Sequence, residues 1–92
     1  MDNMILIEKR VAVVVVFSNG DDGRLLCYPA KMRWNGKEVH FSELALRHPT
    51  SKGQRMVHVF DMSDGASDYR LEFDAESLTW TLMAILEGSH AA

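Results

Sequence analysis

The chain has 92 residues, a formal net charge of −3, 47% hydrophobic and 25% charged residues, which is the make-up of one ordinary globular domain. A single cysteine, Cys27, excludes an intrachain disulfide and fits a reducing compartment. The longest apolar run, residues 11–17, is far shorter than the roughly 20 residues a membrane-spanning helix needs. The apolar residues Met4, Ile5, Leu6 and Ile7 follow no basic leader of the signal-peptide kind. A cytoplasmic location with no membrane partner is expected.

Residues 1–8 read as a flexible or edge-pairing N-terminus. The first predicted strand covers residues 9–17. Its run Val-Ala-Val-Val-Val-Val-Phe places Val11, Val13, Val15 and Phe17 on one face and Ala12, Val14 and Val16 on the other. Both faces then call for cover, which a chain this short supplies with difficulty. Ser18-Asn19-Gly20-Asp21-Asp22-Gly23 is dense in turn formers. A second strand is expected over residues 25–34, with Tyr28, Ala30, Met32 and Trp34 on one face and Lys31 and Arg33 opposite. Pro29 has no ladder donor and marks an edge or a bulge there.

Asn35-Gly36 suits a type I′ hairpin turn. It leads to a predicted strand over 38–47, with Val39 and Phe41 inward and His40 outward. Residues 48–53 read as a longer loop. In the predicted strand 54–62, Val57 and Val59 oppose Met56, His58 and Phe60, so this strand is expected to be buried on both faces and central. After a turn at 63–68, the strand 68–74 alternates Tyr69, Leu71 and Phe73 with Arg70 and Glu72, the pattern of a half-buried antiparallel strand. Residues 75–87 fit two descriptions. As a strand over 78–86 they set Leu78, Trp80, Leu82 and Ala84 inward. As a helix, Asp74 would cap the start, Gly88 would stop the end, and Leu78, Leu82 and Ile85 would share a face. Two threonines around Trp80 favour the strand. Residues 88–92 read as a flexible tail.

Chemistry-bearing patterns are few. Cys27 follows Leu25-Leu26, an apolar setting with only Arg24 nearby, and reads as a buried structural thiol. No Gly-x-Ser-x-Gly elbow occurs. His40, His48, His58 and His90 lie at no zinc-ligand spacing, although His40 and His58 could meet across paired strands. Asp61, Asp64 and Asp68 crowd one turn, but not at the spacing of a calcium loop. No metal and no cofactor are expected. The middle of the chain is basic and its last third acidic. Arg47, His48, Lys52 and Arg55 gather around the 48–53 loop, and Lys31 and Arg33 could assist them in holding an anion or a nucleic acid. The alternative is that neighbouring strands pair these charges with one another. Lys31 and Arg33 point away from Tyr28 and Trp34, which counts against a base-stacking surface.

The motifs Met32-Arg33-Trp34-Asn35-Gly36-Lys37, Tyr69-Arg70-Leu71-Glu72-Phe73-Asp74 and Trp80-Thr81-Leu82 carry a resemblance over residues 29–85. In them the chain resembles a group of small uncharacterised bacterial β domains, some of which accompany polymerase-like DNA-repair proteins. The resemblance implies a small β domain and gives some weight to DNA-linked work. It transfers no functional residue. The run 11–17 and the loop 48–53 depart from the pattern.

The expected fold is a single, mainly β domain over 1–92. It is an antiparallel six-stranded sheet, strongly curled or closed into a small barrel, with a C-terminal helix as the alternative for its last element. The expected function is that of a non-enzymatic interaction module forming a homodimer through apolar strand faces, namely Ala12, Val14, Val16, Met83, Ile85 and Leu86. The second reading is a nucleic-acid or anion-binding domain using Arg47, His48, Lys52, Arg55, Lys31 and Arg33. The third is an enzyme with His48 or His58 as base beside Asp61 or Asp64, for which composition is the only support.

Overall fold

Strand-forming, alternating segments separated by turn residues give an all-β architecture. The computed structural model describes residues 4–21 and 27–87. Among them are eight strands: β1 (Met4–Arg10), β2 (Ala12–Phe17), β3 (Cys27–Trp34), β4 (Lys37–His40), β5 (Glu43–Lys52), β6 (Arg55–Ser63), β7 (Ser67–Asp74) and β8 (Thr79–Glu87). They form two antiparallel sheets, a large one in the order β1-β8-β7-β6-β5 and a small one in the order β2-β3-β4. The expected leads 24–26 and tail 88–92, with Arg24, Leu25, Leu26, Gly88 and His90, lie outside the described residues.

Two corners join the sheets. At the first, the chain leaves β1 at the edge of the large sheet and enters β2 at the edge of the small one. Val11 N donates to Trp80 O at 3.1 Å in this step. At the second, Phe41 N donates to Ala30 O and Ser42 N to Ser63 O, at 2.9 and 2.8 Å. These corners correct the expected element count. The predicted strand 9–17 is the end of β1 plus β2, and the predicted strand 38–47 is β4 plus half of β5. The six-stranded sheet and the closed barrel therefore give way to two sheets of five and three strands. The helix alternative for 75–87 is also overturned. Trp80, Leu82 and Ile85 enter the core from a strand that pairs with both β7 and β1.

Pairing register sorts the large sheet into rows. The face turned to the small sheet carries Leu44, Met62, Tyr69, Ile85 and Ile5 in one row. The next holds Arg47, Phe60, Leu71, Leu82 and Lys9, and the last Pro49, His58, Phe73 and Trp80. The middle of these rows is the core. Phe60, Met62, Tyr69, Leu71, Trp80, Leu82 and Ile85 pack with Met32 of β3, and Val11, Val13, Val15, Tyr28, Trp34, Val39 and Phe41 close around them. Trp80 lies between Phe60 and Phe73, at centroid distances of 5.4 and 4.9 Å, which are favourable aromatic separations.

Local chemistry fixes the turns. Asn35 and Gly36 have φ of 51° and 74°, the two positive values of the type I′ turn expected from Asn-Gly. Pro29 sits at a bulge, as its missing N–H requires: Val14 pairs with Lys31 but Val15 with Pro29. It is nonetheless buried in the central strand of the small sheet rather than at an edge. The 48–53 segment is not a loop. β5 continues to Lys52 and turns at Gly53-Gln54, and Pro49 is tolerated because β5 is the outer strand of the large sheet.

The valine-rich run is half covered. Val11, Val13 and Val15 pack on the core. Ala12 and Val14 face away from it, and Val14 is 51% exposed. Within this chain β2 is thus an edge strand whose second flank is left uncovered, and Phe17 at its end is 79% exposed.

Candidate interaction surface

The outer face of the large sheet shows a gradient from charged to apolar. Its rows, read from β5 to β1, begin with Thr50, Val57, Asp74 and Thr79 at one end, followed by His48, Val59, Glu72, Thr81 and Arg10. Then come Leu46, Asp61, Arg70, Ala84 and Leu6, and at the far end Glu43, Ser63, Asp68, Leu86 and Met4. The first two rows are dominated by polar and charged groups. Along the β8–β1 side of the last two the surface is continuously apolar.

At the charged end Lys52 Nζ lies 3.2 Å from Glu72 Oε1, reaching across β6, and Arg55 pairs with Asp74. The long side chains of this region lie over Val57 and Val59, which are buried although they face away from the core. Asp74 is also held by backbone: its Oδ1 accepts from Glu76 N and Ser77 N. Those bonds and Arg55 outweigh the effect of burial and lower its carboxyl pKa. Midway along the face, Arg70 clasps Asp61 with two bonds of 2.8 and 2.9 Å, a bidentate fork that raises the guanidinium pKa further.

At the apolar end lies an open groove of about 370 Å³, floored by Ala84, Met83 and Leu86 and walled by Met4, Leu6 and the Arg70–Asp61 pair. Met83 reaches it because the ladder between β7 and β8 shifts register there: Leu71 pairs with Leu82 but Arg70 with Ala84. A second shift lies between Leu6 and Lys9 of β1, with Glu8 at φ 55°. Met4 is 56% exposed, Ile5 44% and Leu6 69%. Apolar side chains thus stand open on both faces of β1.

The residues expected to mediate self-association are divided by this geometry. Met83 and Leu86 line the groove. Ile85 does not: it is 8% exposed and belongs to the core. Ala12, Val14 and Val16 are on the small sheet, and the first two are set among charges, Ala12 beside Arg33 and Glu38, Val14 beside Lys31 and His40. Sequence reasoning missed Met4 and Leu6. Their signal was the unbroken apolar run Met4-Ile5-Leu6-Ile7, which becomes a surface only when β1 is placed beside β8.

The residues expected to hold an anion are likewise divided. Lys52 and Arg55 flank the Gly53-Gln54 turn and are paired with acids, as the charge-pairing alternative expected. Arg47 occupies a row of the inner face, while His48 is on the outer face opposite Val59. Lys31 and Arg33 are on the other sheet, where Glu38 lies 3.5 and 3.9 Å from them and His40 Nε2 lies 3.4 Å from the same carboxylate. His40 and His58 are in different sheets. Among the described residues no group of three or more His, Cys, Asp or Glu side chains is placed to hold a metal ion.

Three further groups, Asp64, Tyr69 and Cys27, have structural assignments. Asp64 organises the β6–β7 turn. Its Oδ1 accepts from Ala66 N and Ser67 N at 2.9 and 2.8 Å, and its Oδ2 accepts from Tyr69 Oη at 2.7 Å. Burial works against the charge, but these bonds outweigh it and lower the Asp64 pKa. Burial and the bond to Asp64 together push Tyr69 up to about 12. Burial also raises the Cys27 thiol, against a weaker opposing effect of Arg47, which disfavours a reactive thiolate. Comparison of the chain with protein-family models, with curated proteins and with solved structures gave no match.

Proposed function

We propose that this domain is a non-enzymatic interaction module that self-associates through the apolar end of the large sheet's outer face. The observation that carries this reading is the groove bounded by Met4, Leu6, Met83 and Leu86. It is open apolar surface at one end of a face whose other end is closed by ion pairs. Scattered exposed hydrophobic residues are ordinary, whereas contiguous ones beside an open groove are the usual mark of an interface. A homodimer with two-fold symmetry is the commonest outcome of such a surface. Nucleic-acid or anion binding is less well supported, because Lys52, Arg55, Lys31 and Arg33 each have an acidic partner in place.

The test is sedimentation velocity over a concentration series reaching about 1 mM, a range suited to a small interface. The wild-type protein and Leu86→Glu are compared with Val14→Lys, which alters the small sheet's outer face instead. A mass that rises with concentration in the wild type and Val14→Lys, and is lost in Leu86→Glu, supports the reading. A strict monomer throughout refutes it.

A further inference from the structure

We infer that the charged end of the large sheet's outer face holds a small oxyanion of the phosphate class, either inorganic phosphate or the head of a phosphomonoester, with Arg10, Lys52 and Arg55 as its cationic partners. The site lies at the opposite end of that face from the apolar groove and does not depend on self-association. A cleft of about 150 Å³ opens there. Arg10 of β1 enters it from one side, and Lys52 and Arg55 from the β5–β6 side. Between them lie Thr81 and Thr79 of β8, the latter bonded through its hydroxyl to Ser77 Oγ at 2.7 Å. Arg10 joins the other two cations only because β1 lies beside β8, with Arg10 paired to Thr81.

Glu72 and Asp74 also line the cleft, so the balance of charge decides what it can take. Each acid holds one cation: Lys52 pairs with Glu72, and Arg55 with Asp74. Arg10 is the third cation, and three cations against two acids leave the cleft one net positive charge. The acids are also the deeper groups. Glu72 and Asp74 are largely covered, whereas the side chains of Lys52 and Arg55 are about half exposed. An approaching ion therefore meets the cations first. An ammonium and a guanidinium carry more donors than one carboxylate contact uses, so both pairs leave N–H groups for a second acceptor.

Size and charge narrow the ligand. Pockets for whole small molecules run from about 300 to 1,000 Å³, so this cleft takes a compact head group and leaves the rest of a ligand in water. Donors converge from both sides and from the Thr81 hydroxyl between them, which suits a tetrahedral oxyanion better than a planar carboxylate. Nucleic acid gains its affinity from many phosphate contacts. One net charge is too little for that and enough for a single phosphoryl group.

Inorganic phosphate titrated into the isotope-labelled chain at low protein concentration, with chloride holding the ionic strength constant, tests the site by amide NMR. Signals of Arg10, Thr79 and Thr81 should follow one saturating curve with a Kd on the order of 1–10 mM. Arg10→Gln should weaken binding about tenfold. Thr81→Val, which keeps a β-branched strand residue, should weaken it about threefold. Lys37→Gln removes the same charge from the small sheet and should leave the affinity unchanged. Methyl phosphate is titrated in parallel: tighter binding of the ester assigns a phosphomonoester as the ligand, and equal or weaker binding assigns the free ion. Signals that fail to saturate with either compound up to about 50 mM, an Arg10→Gln protein that binds as tightly as the wild type, or an equal loss in Lys37→Gln would overturn the inference.

Discussion

Replacing Asp64 by alanine removes three hydrogen bonds at once, those from Ala66 N, Ser67 N and Tyr69 Oη. The two backbone donors are at the surface of a turn, where loss of an acceptor resembles loss of a helix cap and costs about 1 kcal/mol. The tyrosine hydroxyl is attached to a ring that is 8% exposed, and its bond to a carboxylate contributes about 1–2 kcal/mol. Asp64→Ala is therefore expected to lower stability by about 2–3 kcal/mol, a large share of what a domain this small possesses. Tyr69→Phe should cost about 1–2 kcal/mol alone and close to nothing in the Asp64→Ala background, a coupling of about 1 kcal/mol or more.

Urea denaturation of the four proteins measures this cycle. The pH dependence gives an independent check. Asp64 is lowered on folding, so its contribution is present above the ordinary carboxylate value of 3.8 and is lost as pH falls through the lowered value. Tyr69 is raised, so its contribution is present below 10.0 and is lost as pH rises toward about 12. Both losses should be reduced in Tyr69→Phe. Additive effects of the two substitutions, or an alkaline unfolding profile unchanged by Tyr69→Phe, would refute the reasoning.

Other consequences concern the core, one strained residue and the paired charges. Leu71 has 0% exposure at the centre of the large sheet, so Leu71→Ala should cost about 2–5 kcal/mol by calorimetry or denaturant titration. Leu78 holds φ at 59° with its side chain 74% exposed. Leu78→Gly should therefore stabilise the fold by up to about 1 kcal/mol, seen as a raised Tm. Glu72→Gln with Asp74→Asn releases Lys52 and Arg55. Fluorescence anisotropy with single-stranded DNA should then show salt-sensitive binding stronger than that of the wild type, whereas identical binding would show that the acids do not restrain these cations.

Local chemistry made some of the fold legible in the sequence and left other parts hidden. Asn35-Gly36 announces its turn because few residue pairs accept two positive φ values in succession. The strand carrying Tyr69, Leu71 and Phe73 is legible because one of its faces is core and the other carries charge. The corners at Val11 and at Phe41-Ser42 are not, since a strand that changes sheets keeps its alternation while changing partners. Residues 48–52 imitate a loop because an outer strand can accept a proline and polar residues. The groove is the least legible feature of all. It requires the first strand to lie beside the last, with Met83 turned outward by a register shift, and no local pattern encodes a contact between the two ends of the chain. The valine run that invites an assembly argument in the sequence is half sheltered, with Val14 and Phe17 exposed, and the apolar groove lies on the other sheet.

Backbone amide NMR spectra of the wild-type chain recorded through a dilution series map the associating surface directly. Signals of Met4, Ile5, Leu6, Met83 and Leu86 should shift together along one binding curve as concentration rises, while those of Val14, Lys31 and Arg33 stay in place. Spectra identical at every concentration, or shifts confined to the small sheet, would contradict the account.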